Sequence, residues 1–407
     1  MNRIWVVGEP YAPEENTTAY YLTQTAEGLA KKTPVAVLCG QPSYLSRGVR
    51  APVTENRNQV EVRRCRGTTL DKNILAFRLS NMVTLGTSMF FNALFRIRKG
   101  DKVLVVTAPP TLPFLIALAC RIKRVPYYFL LHDKYPDILV ATGNASEGSI
   151  AVRLMKLLNK WLYGGAEKII TVGRDMEEAV ALEPGADSER IVTIQNWASL
   201  EEVSPTERSE NELLKELGLL EKFVVLYAGN MGPPQDIESI VQAATKLKED
   251  KNEDVHFLFV GAGAKKNWLE GKKEELGLDN VSIVGPRPRT DQTNFLNACD
   301  VAVVTLVEGM KALAMPSRTY NFLAAAKPII AIVEEGSEPA IVVEEENVGW
   351  VVSPHDPESL LKAIEHASNL RGDLVEMSER ALKAARTKYS FETALAKYTD
   401  AMEVGDG

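Results

Sequence analysis

Between residues 306 and 330 the chain reads LVEGMKALAMPSRTYNFLAAAKPII, a stretch with the chemistry to hold a phosphorylated sugar. Glu308 offers a carboxylate that accepts hydrogen bonds from hydroxyls. Further on, Arg318 carries a permanent cation in a planar fork that suits phosphate oxygens. Pro316–Ser317 reads as a helix start, with Ser317 able to cap it, and free amides and the dipole at such a start favour an anion. A second group follows the apolar run YYFLL: His132 and Asp133, a base and an acid side by side at a strand end. Neither group decides a function alone. Helix starts after strands are ordinary in α/β proteins, a strand-end histidine is as often structural, and Asp133 could equally cap the segment that follows it.

The elements that must position these side chains can be read from apolar runs and caps. Strands are expected over 3–7, 35–38, 102–107, 127–131, 168–172 and 191–194, with 59–66 alternating as an edge strand. Helices are expected over 19–31, capped by Thr17 or Thr18, and over 75–95, 112–124, 149–163 and 175–181. The helix 75–95 is amphipathic and flanked by Lys72, Arg78, Arg96, Arg98 and Lys99; its apolar face is expected to pack on the sheet, with membrane contact as the minority reading. Residues 199–221 are polar and acidic and read as a linker. A second α/β unit follows, with strands at 223–227, 255–260, 281–284, 301–305, 329–333 and 348–351. Helices are expected over 237–248, 265–276, 291–298, 319–326, 357–369, 373–387 and 391–402. Strands alternating with helices imply parallel sheets covered on both faces, with ligands at the carboxyl ends of the strands. The expected domains are 1–200 and 222–387, joined by 201–221, with a last helix in 388–407 returning to the first.

At 407 residues the chain exceeds the size one hydrophobic core usually serves. Its net charge of −7 is uneven: residues 1–200 hold 25 Lys+Arg against 18 Asp+Glu (+7), and the remainder 22 against 36 (−14). A basic first half suits an anionic partner, and aromatics do not interleave with the cations as nucleic-acid stacking platforms would. A membrane surface or an anionic lipid-linked substrate is therefore preferred over nucleic acid. Cys39, Cys65, Cys120 and Cys299 lack the spacing of a metal or redox site and are expected as buried free thiols in a reducing compartment. The start, MNRIWVVGEP, enters a strand without a signal-peptide pattern, and no apolar run is long enough to span a bilayer, so a cytoplasmic location is expected.

In chain order, the segments PYAPEENTTAYY, TAPPTLPF, HDKYPD, IQNWAS, YAGNMGPPQDIE, FLFVGAG, VGPRPR and EGMKALAMPSRTYNFLAAAKPIIA resemble the family 4 retaining glycosyltransferases, in the style of bacterial capsule, exopolysaccharide and O-antigen enzymes. The resemblance covers essentially the whole chain. It implies an α/β fold of the GT-B type: two Rossmann-like, doubly wound domains facing across a cleft, the first for the acceptor and the second for the nucleotide sugar. It also implies roles. Gly229, Asn230 and Gly232 approach the donor diphosphate, Arg287 and Pro288 read the base, and Glu308, Gly309 and Met310 bind the donor sugar. Ser317 and Arg318 face the phosphates, Asn16 and Thr17 close over the donor, and His132 and Asp133 project toward the reacting carbon. Two positions depart from the family pattern. Asn321 stands where a ribose-binding glutamate is usual, and Asn16–Thr17 replaces a glycine pair.

The expected reaction is hexose transfer from a UDP-sugar, UDP-glucose foremost, with retention of configuration. The acceptor is a saccharide or lipid-linked saccharide, reached from the inner face of the membrane by peripheral contact with anionic lipid. No cofactor is expected beyond the UDP-sugar substrate, and no metal, since the chain has no Asp-x-Asp pair. The oligomeric state is left open. A dehydrogenase is disfavoured because Gly261-x-Gly263 lacks a third glycine and the next strand ends in glycine rather than an acid. A sugar-nucleotide 2-epimerase of the same architecture, and an inactive sugar-nucleotide-binding scaffold, are the alternatives.

Overall fold

The structure is a computed structural model that describes residues 2–43, 48–71 and 74–404, so Lys72 and the last three residues of the chain lie outside it. It separates into two compact units, Met1–Gln195 with Ala394–Gly407, and Asn196–Thr393.

The first unit is built on eight strands: β1 (Ile4–Val7), β2 (Val35–Cys39), β3 (Thr54–Arg57), β4 (Val60–Arg64), β5 (Lys102–Val106), β6 (Tyr127–Leu131), β7 (Lys168–Thr171) and β8 (Ile191–Thr193). Their order across the sheet is β3-β4-β2-β1-β5-β6-β7-β8. The runs IWVV, VAVLC and YYFLL are buried at every position, as strands covered on both faces must be. Strand β4 alternates as expected, yet it is not the edge. β3, with the polar sequence TENR, pairs outside it in antiparallel register, joined through Asn58 and Gln59 at positive φ. Among the described residues of 1–195 the helices are α1 (Thr17–Ala30), α2 (Leu75–Arg96), α3 (Leu112–Lys123), α4 (Asp137–Ala141), α5 (Ile150–Gly165) and α6 (Arg174–Ala181). The cap of α1 is neither threonine. Asn16 Oδ1 accepts from the Ala19 amide at 2.8 Å, because the amide side chain one residue earlier reaches the first turn.

The second unit carries β9 (Phe223–Asn230), β10 (Val255–Ala262), β11 (Val281–Val284), β12 (Val301–Thr305), β13 (Ile329–Ile332) and β14 (Gly349–Val352). They are all parallel, in the order β11-β10-β9-β12-β13-β14. Helices α7 (Glu212–Leu217), α8 (Ile237–Glu249), α9 (Lys266–Glu275), α10 (Gln292–Leu296), α11 (Arg318–Ala324), α12 (Glu338–Glu346), α13 (Pro357–Asn369) and α14 (Arg371–Thr387) accompany it. The last helix, α15 (Phe391–Ala401), falls with the first unit from Ala394 onward. Residues 196–221 fold with the second unit and contain α7, started by Asn211 capping the Leu214 amide and ended by Gly218 at φ 67°. Leu213 and Leu214 bury that turn despite its acidic neighbours. The core gathers Phe223, Val225, Phe257 and Phe259 from the sheet against Ile240 and Leu247 of α8.

The chain steps outward from β9 to β10 and β11, then returns to lay β12 on the other side of β9. A reversal of this kind leaves a crevice at the strands' carboxyl ends. Here it is widened by register: β9 pairs with β12 only as far as Tyr227–Val303, while it follows β10 out to Asn230–Ala262.

Candidate active site

The turn that leaves β9 is held by groups that sequence reasoning passed over. The Tyr227 hydroxyl donates to the Asn230 carbonyl at 2.6 Å, and the Gly232 amide donates to Gln235 Oε1 at 2.9 Å. Beside it, Gly261 and Gly263 of β10 and its exit adopt φ of 145° and 152°. A Cβ at Gly261 would stand 2.0 Å from the Gly229 carbonyl oxygen, and one at Gly263 2.4 Å from that of Met231. These glycines let the two chain ends lie against each other. Gly229 is different: a Cβ there would meet only the Tyr227 phenol, at 3.7 Å, so packing within the chain does not demand its glycine.

Across the crevice, the loop after β12 is held by Glu334, whose Oε2 accepts from the amides of Gly309 at 2.8 Å and Lys311 at 3.0 Å. Glu308 and Gly309 are exposed, and the Met310 side chain is fully buried. This loop thus offers a carboxylate at its tip while its amides are satisfied from inside. Helix α11 begins at Arg318, with Ser317 in the cap position making no side-chain cap bond, contrary to expectation. The first turn is closed instead by the backbone, Thr319 N–H donating to Pro316 O at 3.1 Å and Tyr320 N–H to Ser317 O at 3.3 Å. The amides of Thr319 and Tyr320 are thus taken up within the turn. The Arg318 guanidinium lies 5.7 Å from the Phe295 ring centre, and its charge opposes the burial that raises the Tyr227 phenol. Arg318 thereby packs the start of α11 against α10.

Asn321 is 6% exposed, and its Oδ1 accepts from the buried Ser199 amide at 3.2 Å. The Ser199 hydroxyl in turn accepts from Arg289 Nη2 at 2.8 Å. The asparagine at the expected ribose position thus spends its carbonyl on its own chain. Arg287, half-buried, pairs with Glu216 and Asp291 at 3.3 Å each, and Pro288 opens a short 3-10 turn over Arg289–Asp291. Asp236, fully buried, caps α8 through the Ser239 amide and hydroxyl and accepts from the His355 amide, tying the start of α8 to the loop after β14.

In the first unit, β6 delivers His132 and Asp133 at its carboxyl end. One hydroxyl positions both: Thr107 Oγ1, at the exit of β5, accepts from the His132 amide at 3.2 Å and the Asp133 amide at 3.4 Å. Burial lowers the His132 pKa to about 4 and raises that of Asp133 to about 6. At neutral pH the imidazole is therefore neutral and a weak proton acceptor. No side chain caps α4, so Asp133 does not serve that purpose. Asn16 is committed to capping α1, and Thr17 beside it is exposed. The four cysteines are buried and free, and burial raises all their thiols, Cys65 to about 11 and Cys39, Cys120 and Cys299 to about 12. Among the described residues no three His, Cys, Asp or Glu gather as metal ligands.

Comparison with known proteins gives a consistent likeness for each half. The family described as glycosyl transferase 4-like domain matches residues 16–197, and that described as glycosyl transferases group 1 matches residues 209–388. A Pseudomonas aeruginosa protein named as a glycosyltransferase, WbjE, is 31% identical over 98% of this chain and 97% of its own. The Escherichia coli K12 protein WcaI, named for glycosyl transfer in colanic acid biosynthesis, is 25% identical over 90% of this chain and 92% of its own. Among solved structures, Anabaena HepE in complex with UDP-glucose superposes with a TM-score of 0.75 at 16% identity, covering 99% of this chain and all of that one.

Proposed function

The chain belongs to the glycosyltransferases, a family-4-like domain followed by a group 1 domain with the GT-B fold, and on that premise we propose that it moves a hexose from a UDP-sugar, UDP-glucose foremost, onto a saccharide or lipid-linked saccharide in cell-surface polysaccharide synthesis. One observation carries the donor reading. The glycine turn after β9, the Glu308 loop after β12 and Arg318 flank a crevice at the strand-order reversal, where α/β sheets take nucleotides. Gly229 supports it, because its missing side chain leaves room that the chain itself does not need. The names of WcaI and HepE agree with a polysaccharide setting and with a UDP-sugar.

In this reading Arg318 neutralises charge as it grows on the departing diphosphate, the term that usually contributes most to such transfers. Transfer retains configuration and uses no metal. The leaving phosphate takes the acceptor proton, and the neutral His132 orients the sugar. Work occurs at the inner face of the membrane, in peripheral contact with it. The engagement of Asn321 with Ser199 favours a second reading, a sugar-nucleotide-binding scaffold without turnover.

Thermal stabilisation by UDP-, GDP-, ADP- and dTDP-sugars tests both. A ligand at about a hundred times its Kd stabilises the fold by about 2.7 kcal/mol. Selective stabilisation by UDP-hexoses, followed by transfer to an acceptor, supports the enzyme. Binding without turnover supports the scaffold, and no stabilisation by any of them rejects the donor site.

A further inference from the structure

The turn that leaves β9 does little to hold its own shape. Pro233 and Pro234 have no N–H to give. Within the bend, the Gly232 amide donates to Gln235 Oε1 at 2.9 Å and the Gln235 amide to the Gly232 carbonyl at 3.1 Å. The other bonds come from neighbouring elements, which therefore set how wide the bend stands. Thr305 Oγ1 accepts from the Asp236 amide at 3.1 Å, and the Val307 amide donates to the Pro234 carbonyl at 2.8 Å. Lys265, just past the exit of β10, supplies two bonds by itself. Its amide donates to the Met231 carbonyl at 2.8 Å, and its Nζ donates to the Gln235 carbonyl at 2.7 Å. One residue thus grips the bend on both arms, before the two prolines and after them.

The ammonium is steadied from a third side by Glu238 Oε2 of α8, at 2.8 Å, and the Lys265 side chain is only 20% exposed. Two of its three N–H groups are thereby committed, one to the bend and one to α8. As a surface ion pair the contact with Glu238 would count for little. A charged hydrogen bond to a main-chain carbonyl counts for more, and its removal leaves that carbonyl without its partner. We infer that Lys265 is a positioning residue for donor binding: by holding Met231 and Gln235 together it sets the opening of the 229–235 turn that receives the diphosphate. It acts through the turn and not by touching the donor. The Val307 amide, one residue before Glu308, is bound to the same bend, so a bend that shifts carries the start of the Glu308 loop with it.

The inference rests on the donor reading of the proposed function. The test compares the full-length parent with Lys265→Met and Lys265→Arg, by calorimetric titration with UDP and by steady-state transfer from UDP-glucose. Lys265→Met should raise the Kd for UDP and the KM for UDP-glucose about tenfold, with kcat within about twofold of the parent, because a binding turn meets the donor alike before and during transfer. Lys265→Arg, which can still donate to both the carbonyl and Glu238, should bring Kd back to within about threefold. A residue that serves only the fold would lower Tm and leave the Kd of the folded protein alone. Titration well below the melting range keeps the comparison on folded protein even if Lys265→Met melts early. Lys265→Met binding UDP as the parent does, a fall in kcat without a rise in KM, or an arginine variant as weak as the methionine one would overturn the inference alone. A parent that UDP does not bind would refute the donor reading, and the inference with it.

Discussion

Arg318→Ala separates a structural role from a chemical one because the two predict different magnitudes. The guanidinium sits 5.7 Å from the Phe295 ring centre and beside the Tyr227 phenol, rings that are 4% and 6% exposed. Losing a half-buried cation over a ring costs about 1 kcal/mol of folding stability. For a unit of this size that lowers Tm by about 2–4 °C. If the same cation meets the departing diphosphate, its loss should lower kcat by about 10²–10³, equivalent to about 3–4 kcal/mol. Differential scanning fluorimetry measures the first quantity, and steady-state transfer from UDP-glucose, well below the melting range, measures the second. Arg318→Lys should fall between parent and alanine variant, since it keeps the charge but loses the planar fork. Turnover within about threefold of the parent would remove Arg318 from the phosphate site. A loss of turnover that vanishes on cooling, in step with stability, would reduce the arginine to a packing residue.

Gly229→Ala should leave Tm within about 1 °C, because its Cβ meets only the Tyr227 phenol, but should raise the Kd for UDP-sugars about tenfold or more, which removes about 1.3 kcal/mol of the stabilisation seen at about a hundred times the parent's Kd; the reverse pattern would make the glycine a packing requirement. Asp133→Asn tests the half-buried His132–Asp133 pair through pH. A carboxyl raised to about 6 binds more protons folded than unfolded, so the parent's aspartate is destabilising above that pH and relieved as pH falls toward 4. His132, lowered to about 4, acts oppositely over the same window, so the two offset each other in the parent. Removing the aspartate should therefore make the variant's stability, relative to the parent, decline as pH drops from about 6 to 4; urea titrations giving a pH-independent difference would contradict the burial argument. Excess EDTA should leave transfer unchanged, and inhibition reversed by added magnesium or manganese would end the metal-free reading.

What the sequence revealed depended on how local the cause was. Fully apolar runs such as YYFLL and VAVVT have no partner but a doubly covered parallel sheet, and they became β6 and β12. TENR has too few residues and too much polarity to show a period, so the sequence hides β3 and makes β4 look like the edge. Helix α7 was hidden by acidic composition, although its Asn211 and Gly218 caps were legible. Helix α12, with adjacent valines in EPAIVVEEE, offered no clear helical stripe. At the candidate site, Arg318, Glu308 and the 229–232 turn stood out by residue type. Glu334 did not, because its amide partners lie 25 and 23 positions away, a relation only the sheet creates. Thr107 was missed for the same reason, serving a pair on the neighbouring strand. Ser317 misled because a hydroxyl beside proline suggests a cap, yet the chain there closes its own turn.

The glycines at the ends of β9 and β10 also bear on how such a chain can diverge. Gly261 and Gly263 face the backbone of the opposite turn, so no compensating side-chain change elsewhere can make room for another residue there. Drift should pass these two positions by, whatever the donor. Gly229 faces a side chain and open space, so its freedom is set by whatever occupies the crevice. A lineage that adopted a smaller ligand, or abandoned turnover, could replace Gly229 first and keep its fold. Loss of glycine at 229 with glycine retained at 261 and 263 would then mark a relative that has changed its ligand rather than its architecture.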